Sequence, residues 1–417
     1  MCIAGPLPAA TFYCDPANGS VAQAGTAEKP WGPLEEVIAR GLIEIRGADG
    51  TLANPGAVVK AGDTVLLRDG YHGNIRIKAG CNEEFITIAA EAGHKPGVGQ
   101  VVIDGGRRWR VKGLLVSPSL APRPPGKEPR HLVMLGEHGD EDSGWLEVED
   151  CFVFSLPDAS SWSAEDWVNR PASGIWLGRH GRAHAARNNF ILNTRMGIDV
   201  CAPDCICEGN VIDGFSGDGI RVTRDGIEVR HNVIRNNFVG AADGDDNHDD
   251  GIQSFLFNKG RGLVRNVVIE GNVIVQRSQP GLPFPNPLQG IGFFDGPLVN
   301  YRVENNAVVV DHWHAVSLYD AQDCLIRGNA AWNPVPGSKH RPWVLLGAKQ
   351  GLAKGNRVEN NLACSFSVEA DKSARAEGNR EVDEASFRKR WDEITGEIEK
   401  RYGETHPLAG SKRVSGF

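Results

Sequence analysis

Between Ala241 and Asp250 the chain places five aspartates and one histidine within ten residues, and Gly251-Ile252-Gln253 follows directly. A second Asp-Gly-Ile stands at Asp218-Gly219-Ile220. Carboxyl groups held close together raise one another's pKa, so one keeps its proton as a general acid while another, ionised, activates water. Asp218, Asp249 and Asp250 are the carboxylates such a division needs, with His248 to assist them. The acidic stretch admits two further roles. It suits a hard cation such as Ca²⁺ at Asp245 and Asp246, although its spacing is not that of an EF-hand loop, and it also suits a plain solvated loop. Asp-Gly is ordinary turn chemistry, so the catalytic reading depends on elements that bring these carboxylates together.

A repeat supplies those elements. Asn189, Asn210 and Asn232 lie 21 and 22 residues apart, and Gly174, Gly197 and Gly219 lie 23 and 22 apart. A period of this length is one coil of a parallel β-solenoid, in which each unit buries its apolar face only by stacking on its neighbours. The asparagine series continues through Asn272, Asn306, Asn329 and Asn361 at intervals of 40, 34, 23 and 32 residues, which read as coils carrying insertions. The glycine series continues through Gly251 and Gly290 to Ala315. Asparagine tolerates left-handed backbone and bonds its own main chain, so these residues read as a structural ladder at a repeated turn.

Aligning coils on the Gly-Ile pair makes residues of one column neighbours about 4.8 Å apart. Two positions after each glycine the side chain points outward, because the intervening Ile points inward. That column reads Trp176, Asp199, Arg221, Gln253, Gly292, Ser317. An aromatic face with planar polar groups in successive coils can hold a sugar ring and its hydroxyl or carboxylate substituents; an ordinary Asp199–Arg221 surface ion pair is the alternative. The long insertions, 19 residues from Asn232 to Gly251 and 18 from Asn272 to Gly290, flank the coil that carries His248-Asp249-Asp250. Loops on a rigid scaffold are where function resides. Arg221, Arg224 and Lys259 are cations near the same coil, and His312, His314 and Tyr319 lie further along.

Composition narrows the partners. A formal charge of −8 and a pI near 5.9, without a basic stripe, exclude nucleic acid as the expected ligand. No apolar run is long enough for a membrane span. Met1 to Thr11 lacks a basic segment followed by an apolar one, so no secretion leader is read there. The nine cysteines form no disulfide framework, and Cys201, Cys205 and Cys207 lack a second ligand pair for zinc, so they read as buried thiols.

Towards the N-terminus a strand is expected at Thr11–Cys14, followed by a short amphipathic helix from Pro33 that covers the solenoid's open end. The run Phe12-Tyr13-Cys14-Asp15-Pro16, Gly25-Thr26, Pro30-Trp31, Gly62-Asp63-Thr64-Val65, Ile86-Thr87-Ile88 and Val102-Ile103-Asp104-Gly105 resembles the N-terminal part of pectate-lyase-like right-handed parallel β-helix proteins. That superfamily includes polysaccharide lyases, inverting glycoside hydrolases, uronate epimerases and phage tailspikes. Asp218 with Asp249-Asp250 is similar to the Asn-Thr-Asp-Gly-Ile and Asp-Asp signatures of polygalacturonase-type hydrolases. Ser216-Gly217 stands here for the Asn-Thr, Gln289-Gly290 for a His-Gly, and the Arg-x-Lys is missing.

The expectation is an all-β, right-handed parallel β-helix over residues 1–378, including an N-terminal helical cap. Residues 379–417 are expected to form a C-terminal amphipathic helix and tail, read as a lid on the last coil. The implied partner is a polysaccharide or cell-surface glycan, cleaved by Asp218, Asp249, Asp250 and His248 and held by Trp176, Asp199, Arg221 and Gln253. No cofactor is required, and the acidic stretch admits Ca²⁺ at Asp245 and Asp246. β-Elimination of a uronic-acid polymer and glycan binding without cleavage, as in a homotrimeric or virion tail component, are the alternatives. Action outside the cell is expected, either as a trimmed secreted protein or on a virion.

Overall fold

A strand that recurs once per coil can pair only with its counterparts in the coils before and after. The computed structural model, which describes residues 9–123, 129–137, 143–239, 248–254, 263–279 and 281–403, has this arrangement along its whole axis. Three long sheets of 13, 11 and 12 strands are stacked from parallel pairs, and a fourth of three short strands joins Val264–Arg265, Leu298–Val299 and Ala321–Gln322. The first strand is Thr11–Cys14, where the sequence placed it.

The interior is filled by columns of aliphatic side chains, one per coil. In the 11-stranded sheet Ile175, Ile198, Ile220, Ile252, Ile291 and Val316 stack in register, all buried. In the 13-stranded sheet Ala186, Cys207, Val229, Ile269, Val303 and Ile326 do the same. Cys207 is one rung of an apolar column, and every described cysteine is a free thiol.

The asparagine ladder turns the chain between the 13- and 12-stranded sheets. Each Nδ2 donates to the next Oδ1 at 2.9–3.0 Å, from Asn189 through Asn210, Asn232, Asn272, Asn306, Asn329 and Asn361 to Asn379. Each Oδ1 also accepts the backbone N–H of the preceding rung, as Asn232 does from Asn210 at 2.9 Å. The left-handed backbone falls one residue earlier than the ladder itself, on Asn188, Gly209, His231, Gly271, Asn305, Gly328, Asn360 and Gly378. The turn residue bends the chain, and the next asparagine can then face inward, where its amide finds partners.

Helix α1, Leu34–Ala39, buries Leu34 and Val37 against the first coils, as a cap requires. Helix α2, Ala164–Asn169, sits in the insertion after the Phe152–Phe154 strand, closed by a Ser163–Asp166 capping box. Its Trp167 stacks on Phe238 with ring centres 4.2 Å apart, bracing the chain that leads towards the acidic stretch.

Helix α3, Glu384–Tyr402, is amphipathic as expected, but it does not lie over the last coil. The last strand before it, Arg380–Glu381, still pairs with the 12-stranded sheet. From there α3 runs back along that sheet's outer face, covering Val211, Val233, Val273, Ala307, Ala330 and Leu362 with Phe387, Ile394 and Ile398. Arg390 reaches Gly328 O at 3.1 Å, and Arg401 reaches Glu208 at 3.4 Å. The lengths agree: 19 residues rise about 28 Å, and five coil steps span about 24 Å. An apolar outer column needs covering, whereas the terminal strands Arg375–Glu377 and Arg380–Glu381 are blunted by their own charges.

Candidate functional site

The outward column of the 11-stranded sheet has the expected register. Trp176 pairs with Asp199, Asp199 with Arg221, Arg221 with Gln253, Gln253 with Gly292, Gly292 with Ser317, and Ser317 with Leu345. The glycines ahead of each strand permit the close stacking. A Cβ on Gly219 would lie 2.5 Å from the Gly251 carbonyl oxygen, inside contact distance.

Two coils then build the same polar unit from the same four-residue pattern. In Asp218-Gly-Ile-Arg221 the arginine Nε donates to Asp218 Oδ2 at 2.5 Å, and in Asp250-Gly-Ile-Gln253 the amide donates to Asp250 Oδ2 at 3.2 Å. The Asp250 backbone N–H donates to Asp218 Oδ1 at 2.8 Å, tying one coil to the next. His248 Nδ1 lies 2.6 Å from Asp250 Oδ2. The imidazole is 42% exposed, whereas the Asp250 side chain is wholly buried, so His248 connects that carboxyl to solvent. Among the described residues Asp250 Oδ1 has no hydrogen-bond partner, and it lies where a Cβ at Gly292 would collide with it.

Burial governs the proton affinities here. It pushes Asp250 up to about 7, against the hydrogen bonds from His248 and Gln253 and with the help of the nearby Asp218 charge. Burial also pulls His248 down, but its bond to Asp250 outweighs this and holds the imidazole above its ordinary value.

Asp199, which the sequence placed among the substrate-holding residues, stands beside this pair. Its Oδ1 is 3.9 Å from Arg221 Nε, so Arg221 lies between two carboxylates one coil apart. Burial pushes Asp199 up to about 6, with Arg221 opposing. Asp249 is turned elsewhere. Its Oδ2 accepts from Asn286 Nδ2 at 2.5 Å, and Asn286 also donates to Asn237 in the corner behind the strip. Asp218 and Asp250 are brought together, Asp199 joins them, and Asp249 serves another set of bonds.

His131 was not legible as a site residue. Its ring lies 4.9 Å from that of Trp176, and its Nε2 is 3.9 Å from Asp199 Oδ2. Burial and the neighbouring Arg130 hold it at about 4, hence neutral. Around these groups is a cavity of about 330 Å³ whose lining includes Arg130, Arg170, Arg179, Arg195 and Arg221. These guanidinium groups gather on a chain whose formal charge is −8.

On the other side of Asp250 the strip becomes aromatic. Phe294 lies 4.8 Å from His248, 5.0 Å from His314 and 5.3 Å from Tyr319, measured between ring centres. Burial keeps His312 and His314 at about 4. Arg224 donates to its neighbour's carbonyl, Thr223 O, at 3.0 Å. Lys259, Asp245 and Asp246 lie outside the described residues. Among the described residues no group of three or more His, Cys, Asp or Glu side chains is arranged to hold a metal ion, and no helix is long and apolar enough to cross a membrane.

No family model matches the chain, and no curated protein matches it. Solved structures do. A protein described as a glycoside hydrolase aligns over 92% of this chain and 98% of its own, with a TM-score of 0.52 and 11% identity. The pectate lyase Pel9A aligns over 91% and 83%, with a TM-score of 0.44 and 13% identity. A lacto-N-biosidase from Eubacterium ramulus covers 88% of this chain and 68% of its own, at 0.49 and 13%. At such identities the likeness is one of fold alone, the stacked parallel strands of a β-helix.

Proposed function

We propose that this chain cleaves a polysaccharide by hydrolysis on the outward strip of the 11-stranded sheet. The observation that carries this reading is the exposed His248 imidazole bonded to the wholly buried Asp250, one coil from Asp218. Asp250 retains a proton up to about pH 7. Through His248 it offers that proton to a leaving glycosidic oxygen. Asp199, ionised above about pH 6, is the carboxylate that activates water. Two coil steps separate these units by about 9.6 Å along the axis, with Asp250 three positions before the strand position level with Asp199. Asp218 stays paired with Arg221 and positions Asp250 through the backbone N–H; Trp176, Arg221 and Gln253 hold the sugar.

A second reading, β-elimination on a uronic-acid polymer, is favoured by the arginines around Trp176, because elimination needs the uronate carboxylate neutralised. One experiment separates the readings. Native protein and Asp250→Asn are screened on acidic and neutral bacterial polysaccharides, with reducing ends and unsaturated uronates measured together. Reducing ends without unsaturation, lost in the variant, support hydrolysis. Unsaturated products replace it with elimination, and no product from any polymer leaves a glycan-binding protein.

A further inference from the structure

The outward strip is chemically different at its two ends, and the difference is centred on the Asp250 unit. Three coil steps towards the N-terminus the column reaches Trp176, and three towards the C-terminus it reaches Leu345, each about 14 Å away. The first half carries the arginine-lined cavity. Arg130 is exposed there and makes no ion pair with any described residue, and Arg179 lies 5.7 Å above the Trp176 ring. His131 beneath them is neutral and contributes no charge, and Glu137 accepts from Trp176 Nε1 at 2.8 Å and lies 3.9 Å from Arg179, so Arg130 is the cation left to meet an incoming anion.

The second half is aromatic and only partly exposed. Trp343 Nε1 donates to His314 Nδ1 and to Ser317 Oγ, each at 3.2 Å, which fixes the indole. Trp313 lies 5.5 Å from Trp343, and Phe294 and Tyr319 continue the surface towards Asp250. Lys349 Nζ is 5.9 Å from the Phe294 ring centre and 3.6 Å from Asp295, so this cation is paired, as is Arg341 with Glu381 at 3.7 Å. Guanidinium forks recognise carboxylate and sulfate, whereas fixed aromatic faces recognise the C–H face of an uncharged sugar.

We propose that the strip has a polarity, binding an anionic sugar at the Arg130–Trp176 end and a neutral sugar at the Trp313–Trp343 end. The protein then cuts a heteropolysaccharide at a junction between acidic and neutral units. The cleavage at a junction rests on the hydrolytic reading; the two-ended binding does not.

The test is made in the uncleaving Asp250→Asn background with two probes, a pentagalacturonate and a xylopentaose, titrated calorimetrically. Arg130→Ala should weaken the anionic probe about tenfold and flatten its salt dependence, leaving the neutral probe unchanged. Trp343→Ala should weaken the neutral probe about three- to tenfold and leave the anionic one unchanged. Trp313→Phe, a milder change, repeats the second arm if Trp343→Ala fails to fold. Equal loss of both probes in either variant, or no binding of either probe to the parent, overturns the inference. A polymer screen without cleavage, with this dissociation intact, removes the hydrolytic reading and leaves the two-ended site standing.

Discussion

Replacing Asp250 with Asn removes a buried carboxyl whose cost to folding depends on pH. In the folded protein it holds its proton to about pH 7, and in the unfolded chain a free aspartate loses it near about 4. Because the folded value is the higher one, the contribution to stability is fully present below about pH 4 and is lost as pH rises through about 7. Three units at about 1.4 kcal/mol each give at most about 4 kcal/mol, a slope shared with His248, which titrates with it. The amide keeps an acceptor for Gln253 and carries no charge. The Asp250→Asn variant should therefore gain on the native protein by several kcal/mol between about pH 4 and about pH 8, while losing activity. The three histidines held at about 4, His131, His312 and His314, act in the opposite sense. Their depressed values contribute stability above about pH 6.5 that is lost as pH falls through about 4, and this cancels in the difference between the two proteins. Urea unfolding of both at closely spaced pH values measures that difference. A difference that is flat with pH, or that favours the native protein as pH rises, would refute the placement of this carboxyl in a dry site.

The ladder and the strap helix make sharper stability predictions. Asn232→Ala removes bonds to Asn210, Cys207 and Asn272 and leaves buried groups unmet, so it should cost about 3–5 kcal/mol in denaturant unfolding. Phe387→Ala empties a buried position between α3 and the 12-stranded sheet and should cost about 3–5 kcal/mol, read as a lower melting temperature. Gly219→Ala forces a Cβ against Gly251 O and Ile234, and should cost about 1–3 kcal/mol together with a loss of activity that exceeds the loss of folded protein. Hydrolysis should survive exhaustive treatment with a chelator; activity restored only by Ca²⁺ would instead assign the acidic stretch containing Asp245 and Asp246 to a metal.

What the sequence disclosed follows from what periodicity can see. The Gly-Ile pair marks one point per coil, and strand alternation then fixes every outward neighbour, so the column from Trp176 to Ser317 was readable without coordinates. Adjacent residues on a strand diverge, however, and of Asp249-Asp250 only the second reaches the strip. The amphipathic α3 was visible, but its seat was not. Val211, Val233 and Val273 look like core residues in sequence and differ from Ile212, Ile234 and Ile274 only in facing the other side of the sheet. Arg130, Arg170, Arg179 and Arg195 share no period with one another, so only the folded chain shows that they surround one cavity.

The rigid stacking that makes the column readable also accounts for its chemistry. Coils about 4.8 Å apart hold Asp199, Asp218 and Asp250 in a fixed series, where they cannot separate to relieve repulsion. Arg221 is shared between the first two and His248 is bonded to the third. Three carboxyls thus face two cations, and one further proton makes the group neutral. Asp218 accepts from both Arg221 Nε and the Asp250 N–H. Asp199 and Asp250, raised to about 6 and about 7, compete for it. Between those values the proton resides chiefly on the Asp250–His248 side and Asp199 is ionised. Identical side chains two coils apart thereby become an acid and a base, and the activity of native protein should peak between about pH 6 and about pH 7.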